Sequence, residues 1–219
     1  MGRFFGRLGC VAAVSLLLAA CQSPQMAVSA IAPVSLSAPS GIALTSTAMP
    51  SGATAEAPSG YVAFCKRDPS DCAAGEGEPD QVPFAPVVWD KLQATNVAVN
   101  AAIKPMEDEI HYGRVDYWTI PKDGYGDCED YALAKRKALA DAGISRRALR
   151  IAVAQLPSGE AHAVLTVATD RGDYVLDNRS NEILPWRDAG LVWIARQMPD
   201  QVAWIVPGTG KTPMLLAAR

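Results

Sequence analysis

The chain predicts an α+β fold: apolar residues recur with a helical period up to about residue 142, β-rich runs divided by turn residues follow, and no internal repeat breaks that order. Its 219 residues suffice for one full domain with appendages and not for two independent cores.

Residues 89–110 place Trp89, Leu92, Val97, Val99, Ile103 and Met106 in an imperfect helical pattern, which Pro105 should interrupt because it lacks an N–H and clashes with the preceding turn. Residues 127–142 give the clearest helix. Asp127 is suited to cap its start, and Tyr131, Leu133, Ala134, Ala138 and Leu139 supply an apolar face. Lys135, Arg136 and Lys137 suit the later turns, and Gly143 can close it. After Arg147 the period changes to that of strands, over 149–156, 163–169 and 174–176, with Pro157-Ser158-Gly159 and Asp170-Arg171-Gly172-Asp173 as turns. Residues 191–195 and 202–206 predict two more strands joined across Pro199-Asp200.

Composition divides the chain into a leader at 1–20, a tether at 21–60, a folded domain at 61–207 and a tail at 208–219. The leader carries Arg3 and Arg7 and then the apolar run 11–20, too short for a bilayer and laid out as a secretory signal. Leu18-Ala19-Ala20-Cys21 resembles the lipobox of bacterial lipoproteins, which predicts lipidation of Cys21 and, with Gln22 following, an outer-membrane anchor facing the periplasm. Residues 22–60 are Ala, Ser, Pro and Thr with one charge, Glu56, and read as a flexible tether with a reach of roughly 35 Å. The net charge of −3 becomes −5 without the leader's two arginines, and no basic patch invites nucleic acid.

Of the five cysteines, Cys10 and Cys21 lie in the leader and at its end. Cys65 and Cys72 flank the turn-like Asp68-Pro69-Ser70, and an oxidising compartment favours their pairing. Cys128 is left odd, which in an exported protein marks a thiol either buried or used. It falls at the first turn of the clearest helix, where outward-pointing N–H groups and the macrodipole favour a thiolate. The chain has two histidines, His111 and His162. His162 stands at the mouth of a strand, and Asp177 ends the next one. A cysteine, a histidine to take its proton and a carboxylate to hold the imidazole make a nucleophilic triad in general form. A hairpin centred on Arg171-Gly172 would leave His162 and Asp177 about three residues out of step, an offset that a longer loop or a bulge would have to absorb.

Asp116-Tyr117-Trp118, Pro121, the block from Gly126-Asp127-Cys128-Glu129-Asp130 to Lys135, then His162-Ala163-Val164-Leu165 and Leu176-Asp177-Asn178, resemble in order and spacing the bacterial transglutaminase-like cysteine proteinases. That family includes periplasmic proteases that release large surface adhesins. The resemblance implies a papain-like, transglutaminase-like core with Cys128 as nucleophile, His162 as base and Asp177 as orienter, cleaving a protein of the cell envelope. It also implies an inhibitory membrane receptor as a kind of partner. Trp118 is a candidate oxyanion donor or groove wall, beside the backbone N–H of Cys128.

Three carboxylates, Asp127, Glu129 and Asp130, surround the nucleophile. Acids at a helix start are stabilised by the dipole whatever the function. Beside a thiolate, however, they raise its pKa unless a cation offsets them. A hard cation with oxygen ligands would do so, and the adhesin-processing members of the family use calcium at these positions, although no EF-hand loop is present. Two rivals share these residues. The same triad can pass an acyl group to an amine, as in a transglutaminase or another amide acyltransferase. A lipid-anchored binding protein could carry a vestigial triad, but here all three residue types occur together, which a decayed site need not retain.

Overall fold

A computed structural model of the chain describes residues 47–208. Helices α1 (Ser59–Arg67), α2 (Pro86–Ala102), α3 (Asp108–Tyr112) and α4 (Cys128–Asp141) precede most of the strands. The strands are β1 (Ser51–Ala55), β2 (Lys104–Pro105), β3 (Tyr125–Gly126), β4 (Leu149–Gln155), β5 (Ala161–Thr169), β6 (Gly172–Leu176), β7 (Leu184–Pro185), β8 (Val192–Gln197) and β9 (Trp204–Pro207). Seven of them form one antiparallel sheet in the order β1-β9-β8-β4-β5-β6-β7, and β2 and β3 form a separate parallel pair. The fold is α+β with helices packed on the sheet.

The helical run expected over 89–110 divides at its proline: α2 ends at Ala102, Pro105 pairs as an extended residue, and α3 starts afresh. Helix α4 closes as Gly143 (φ 83°) donates to Ala140 O at 2.9 Å and Ile144 donates to Leu139 O at 3.0 Å, a left-handed cap suited to glycine. Asp127 precedes α4 in extended conformation but, contrary to the expected cap, makes no side-chain cap bond.

Both faces of the central strands are covered, which is why β4 and β5 read as apolar runs rather than as alternation. Ile151, Ala163, Leu165 and Val167 pack with Leu92, Leu133 and Leu139 in the main core. Ala152, Ala154, Val164 and Val175 point the other way, against Met49, Trp186 and Trp193. The sheet takes one edge from the stretch whose composition suggests a tether: β1 pairs with β9, Thr54 opposite Ile205 and Ala55 opposite Trp204. Small residues without large apolar side chains are held there by backbone pairing, which composition does not reveal.

Cys65 and Cys72 are joined in a disulfide. Cys72 ends a short 3-10 turn (Pro69–Cys72) whose Asp71 carbonyl accepts from Arg136 Nη2 at 2.8 Å and Arg146 Nη1 at 2.7 Å. Closing so short a loop stabilises by about 2 kcal/mol. Replacing both cysteines with alanine should therefore lower the melting temperature by several degrees and raise hydrogen exchange at α1 and the turn, while the sheet stays protected. Exchange that rises uniformly over the sheet would contradict that local role.

Candidate active site

The parallel pairing of β2 with β3 builds the start of the site. Lys104 lies opposite Tyr125 and Pro105 opposite Gly126, and Met106 N donates to Gly126 O at 3.0 Å. That register delivers α3 beside the first turn of α4. Gly126 is required at the join, since a Cβ there would fall 2.6 Å from Asp130 Oδ2.

Cys128 opens α4 and borders a cleft of about 510 Å³ that is also lined by Trp118, Glu129, His162, Asn178 and Arg179. It is the free cysteine among the described residues. Its thiol donates to Glu129 Oε2 at 3.1 Å, and its sulfur accepts the Ala163 N–H at 3.3 Å. Burial pushes the thiol far up, the charges of Glu129 and Asp127 add to this, and the Ala163 bond opposes it. The helix start that favours a thiolate is thus outweighed by its surroundings.

His162 Nε2 lies 3.0 Å from Asp177 Oδ1. The hairpin between β5 and β6 turns over Asp170-Arg171, with Thr169 opposite Gly172 and Leu165 opposite Leu176. Continuing that register sets Asp177 opposite Val164, one alternation from His162 and within diagonal reach of the imidazole. The turn is tighter than expected, so no bulge is needed. Asp177 also accepts from Arg179 N at 2.9 Å, and its backbone carbonyl accepts from Asn100 Nδ2 at 3.1 Å. Burial would raise its carboxyl, but the bonds from His162 and Arg179 prevail and hold it below the usual carboxylate range. An ionised Asp177 accepts the hydrogen bond from the Nε2–H of His162, which leaves the ring's lone pair on Nδ1.

Trp118 lines the cleft, but its indole N–H donates to Asp116 Oδ1 at 2.6 Å. That bond occupies the indole proton, so Trp118 presents ring surface to the cleft, in keeping with the groove-wall alternative. Its position is held from several sides. Arg67 Nη2 donates to Trp118 O at 2.6 Å, Thr119 N donates to Asp130 Oδ1 at 2.8 Å, and Tyr117 N donates to Asp108. Asp116, at φ 58° in the left-handed region, also accepts from Gly60 N at 2.9 Å and Ser59 Oγ at 3.1 Å, tying this segment to the start of α1.

Asp108, Asp127 and Asp130 bring carboxylate oxygens within 4.8 Å of one another. One oxygen of each, Asp108 Oδ1, Asp127 Oδ1 and Asp130 Oδ2, is buried with no hydrogen-bond partner among the described residues. Burial, then neighbouring negative charge from Glu129 and Asp108, raises Asp127 to about 8. Burial first, offset in part by the Thr119 bond, raises Asp130 to about 8. Convergent, orphaned hard oxygens of this kind fit a calcium ion. Of the three acids expected from the sequence, Asp127 and Asp130 fall in this cluster, Asp108 joins them from α3, and Glu129 Oε2 accepts from the Cys128 thiol. The acid-rich Glu107-Asp108-Glu109 was the only signal for Asp108 in the sequence, and it does not say which of the three converges.

Among the described residues no helix is long and apolar enough to cross a membrane. The lipidation call on Cys21 and the tail from 209 onward lie outside those residues. No protein of curated function matches the chain. Solved structures of LapG from Legionella pneumophila are similar. One is 29% identical over 56% of this chain and 71% of that one, with a TM-score of 0.47. A calcium-bound structure is 27% identical over 60% and 76%, with a TM-score of 0.48. An EGTA-treated one is 28% identical over 59% and 72%, with a TM-score of 0.48. Residues 51–209, which hold every side chain of the cleft, match the family described as bacterial transglutaminase-like cysteine proteinase, BTLCP, and the chain belongs to it.

Proposed function

We propose that the chain is a cysteine endopeptidase that hydrolyses a peptide bond in a protein of the cell envelope or surface through Cys128, His162 and Asp177. The observation that carries the reading is the 3.0 Å contact between His162 Nε2 and an ionised Asp177, with Cys128 on the same cleft. In this mechanism Nδ1 of His162 accepts the thiol proton, the sulfur attacks the amide carbonyl, and His162 returns the proton to the leaving amine. Water then hydrolyses the thioester. Asp177 orients the imidazole and stabilises its cation. The Ala163 N–H favours the thiolate, and the oxyanion would be received by the backbone N–H of Cys128.

Asp108, Asp127 and Asp130 are the residues that would hold calcium, with Glu129 beside them. The calcium-bound relative supports that assignment. Bound there, calcium supplies positive charge that offsets the acids raising the Cys128 thiol. The lipobox-like Cys21 and the tether fit a domain working in the periplasm from a lipid anchor, and a large adhesin is the substrate class that the family resemblance implies.

The test compares envelope and secreted proteins of a strain lacking the chain with strains complemented by the parent or by Cys128→Ala. One or more surface proteins should gain a new N-terminus only with the parent. Identical termini in all three strains would remove the protease reading.

A further inference from the structure

The disulfide between Cys65 and Cys72 closes residues 65–72 into a loop, and two contacts from inside that loop bear on the cleft. Arg67 donates from Nη2 to Trp118 O at 2.6 Å, and its guanidinium lies 4.3 Å from the centre of the Tyr117 ring. Asp71 offers the carbonyl that accepts from Arg136 Nη2 of α4 at 2.8 Å and from Arg146 Nη1 at 2.7 Å. The loop thus ties the cleft wall at Trp118 to the helix that Cys128 opens. At the start of α1, Ser59 and Gly60 hold Asp116, and the Tyr61 ring stands edge-on to Trp118 with centroids 5.6 Å apart.

The same disulfide borders the surface. Cys72 is buried and Cys65 half-buried, and both line an apolar pocket of about 260 Å³ together with Tyr61, Val62, Lys66 and Val202. Val62 and Val202 are exposed, so the pocket opens to solvent. A disulfide that solvent approaches is open to thiol–disulfide exchange, and a lysine ammonium in the same pocket favours an attacking thiolate. With a dithiol reductant the step balances. One thiolate of the reductant attacks Cys65 Sγ, the S–S bond breaks, and Cys72 leaves and takes up the proton. The second thiol of the reductant then displaces Cys65, giving two cysteine thiols and an oxidised dithiol.

We infer that the Cys65–Cys72 disulfide is a site of thiol–disulfide exchange that sets the order of the cleft wall: closed, it keeps Arg67 on the Trp118 carbonyl; opened by a dithiol, it releases that hold. The role of the wall in substrate binding rests on the catalytic reading above. Opening the loop returns conformational freedom to Arg67 and Asp71 that the cross-link removes. Trp118 stays tied through Asp116, and Thr119 through Asp130, so the wall loosens without collapsing. The side chains of Cys128, His162 and Asp177 bond to Glu129, Ala163, Arg179 and one another, not to this loop. Opening it therefore weakens substrate binding and spares the chemical step.

The amides of Tyr117 and Thr119, bonded to Asp108 and Asp130, report on the wall. Their hydrogen exchange is measured by NMR in Cys128→Ala protein at fixed pH and calcium, in four states: oxidised, treated with dithiothreitol, carrying Cys65→Ala with Cys72→Ala, and carrying Arg67→Met with the loop closed. In each of the last three, exchange at Tyr117 and Thr119 should be on the order of tenfold faster than in the oxidised protein, while β4 and β5 keep their rates. Adding Arg67→Met to the two alanines should bring no further rise, since both act through one bond. In proteins that keep Cys128, KM for the envelope substrate should rise with Arg67→Met and with the two alanines, and kcat should hold. A disulfide that only stabilises its own turn would speed exchange within 65–72 and leave Tyr117 and Thr119 unchanged, which overturns the inference. An additive rise does so too, as does a disulfide that dithiothreitol leaves intact in the folded protein, read by intact mass after alkylation. Exchange needs no turnover, so these failures are distinct from cleavage persisting in Cys128→Ala, which would sink the catalytic reading itself.

Discussion

Cys128→Ala and His162→Ala should each abolish cleavage of the envelope substrate while leaving the melting curve within a few degrees of the parent. In the proposed mechanism the sulfur forms the covalent intermediate, and no second thiol among the described residues is free to replace it. His162 is the one histidine on the cleft, since His111 is bonded to Asp123 at 2.8 Å on another part of the surface. Asp177→Asn preserves shape but no longer selects the tautomer with a free Nδ1. It should lower kcat/KM by roughly 10²- to 10⁴-fold, less than loss of either partner. Iodoacetamide gives an independent reading: alkylation of Cys128 should slow sharply in His162→Ala, and its pH profile should lose the step due to the imidazole. Parental turnover in Cys128→Ala would end the enzyme assignment, and parental turnover in Asp177→Asn would remove Asp177 from it.

Metal-free protein should become less stable as pH rises from 5 to 7. Asp127 and Asp130 are raised to about 8 by burial, so the folded state holds protons that the unfolded state, with carboxyls near 4, has already released. The stability gained from those protons is complete below about pH 4 and is lost as pH climbs toward 8. Counting one proton in all for the two carboxyls, the loss between pH 5 and 7 is about 2–3 kcal/mol, or about 5–10 °C in melting temperature. Lys135, lowered to about 7, acts in the opposite direction only above that pH, so the chosen window isolates the carboxyls.

Calcium should reverse the loss, with an effect that grows from pH 5 to 7 as protons cease to compete for the same oxygens. Asp108→Asn should reduce the calcium shift as much as Asp127→Asn does. Chelation should slow alkylation of Cys128, and Glu129→Gln should speed it in metal-free protein, because the glutamate charge and hydrogen bond both raise the thiol. Differential scanning fluorimetry over pH, with and without calcium, is the measurement. A melting temperature that is flat between pH 5 and 7 and indifferent to calcium would return these carboxylates to ordinary helix-start acids.

What the sequence by itself determined was local. The apolar period and Gly143 mark α4, which falls one residue inside the expected span at each end, because i, i+4 spacing and a left-handed glycine cap are properties of adjacent residues. The β-rich runs after Arg147 are strands for the same reason. Cys65 and Cys72 pair across a seven-residue separation. The block around Cys128 carries the family resemblance because its residues are consecutive in the sequence, and the family match runs over residues 51–209. What only the tertiary structure decided depends on partners distant in the chain. β1 exists because β9 offers it an edge, and Asp108 reaches Asp127 because β2 pairs in parallel with β3. Trp118 spends its indole proton on Asp116, and a two-residue turn sets His162 against Asp177. Burial decided the rest: desolvation is a sum over every neighbouring element, so the raised thiol of Cys128 and the unpartnered ammonium of Lys135 follow from packing that no local pattern encodes.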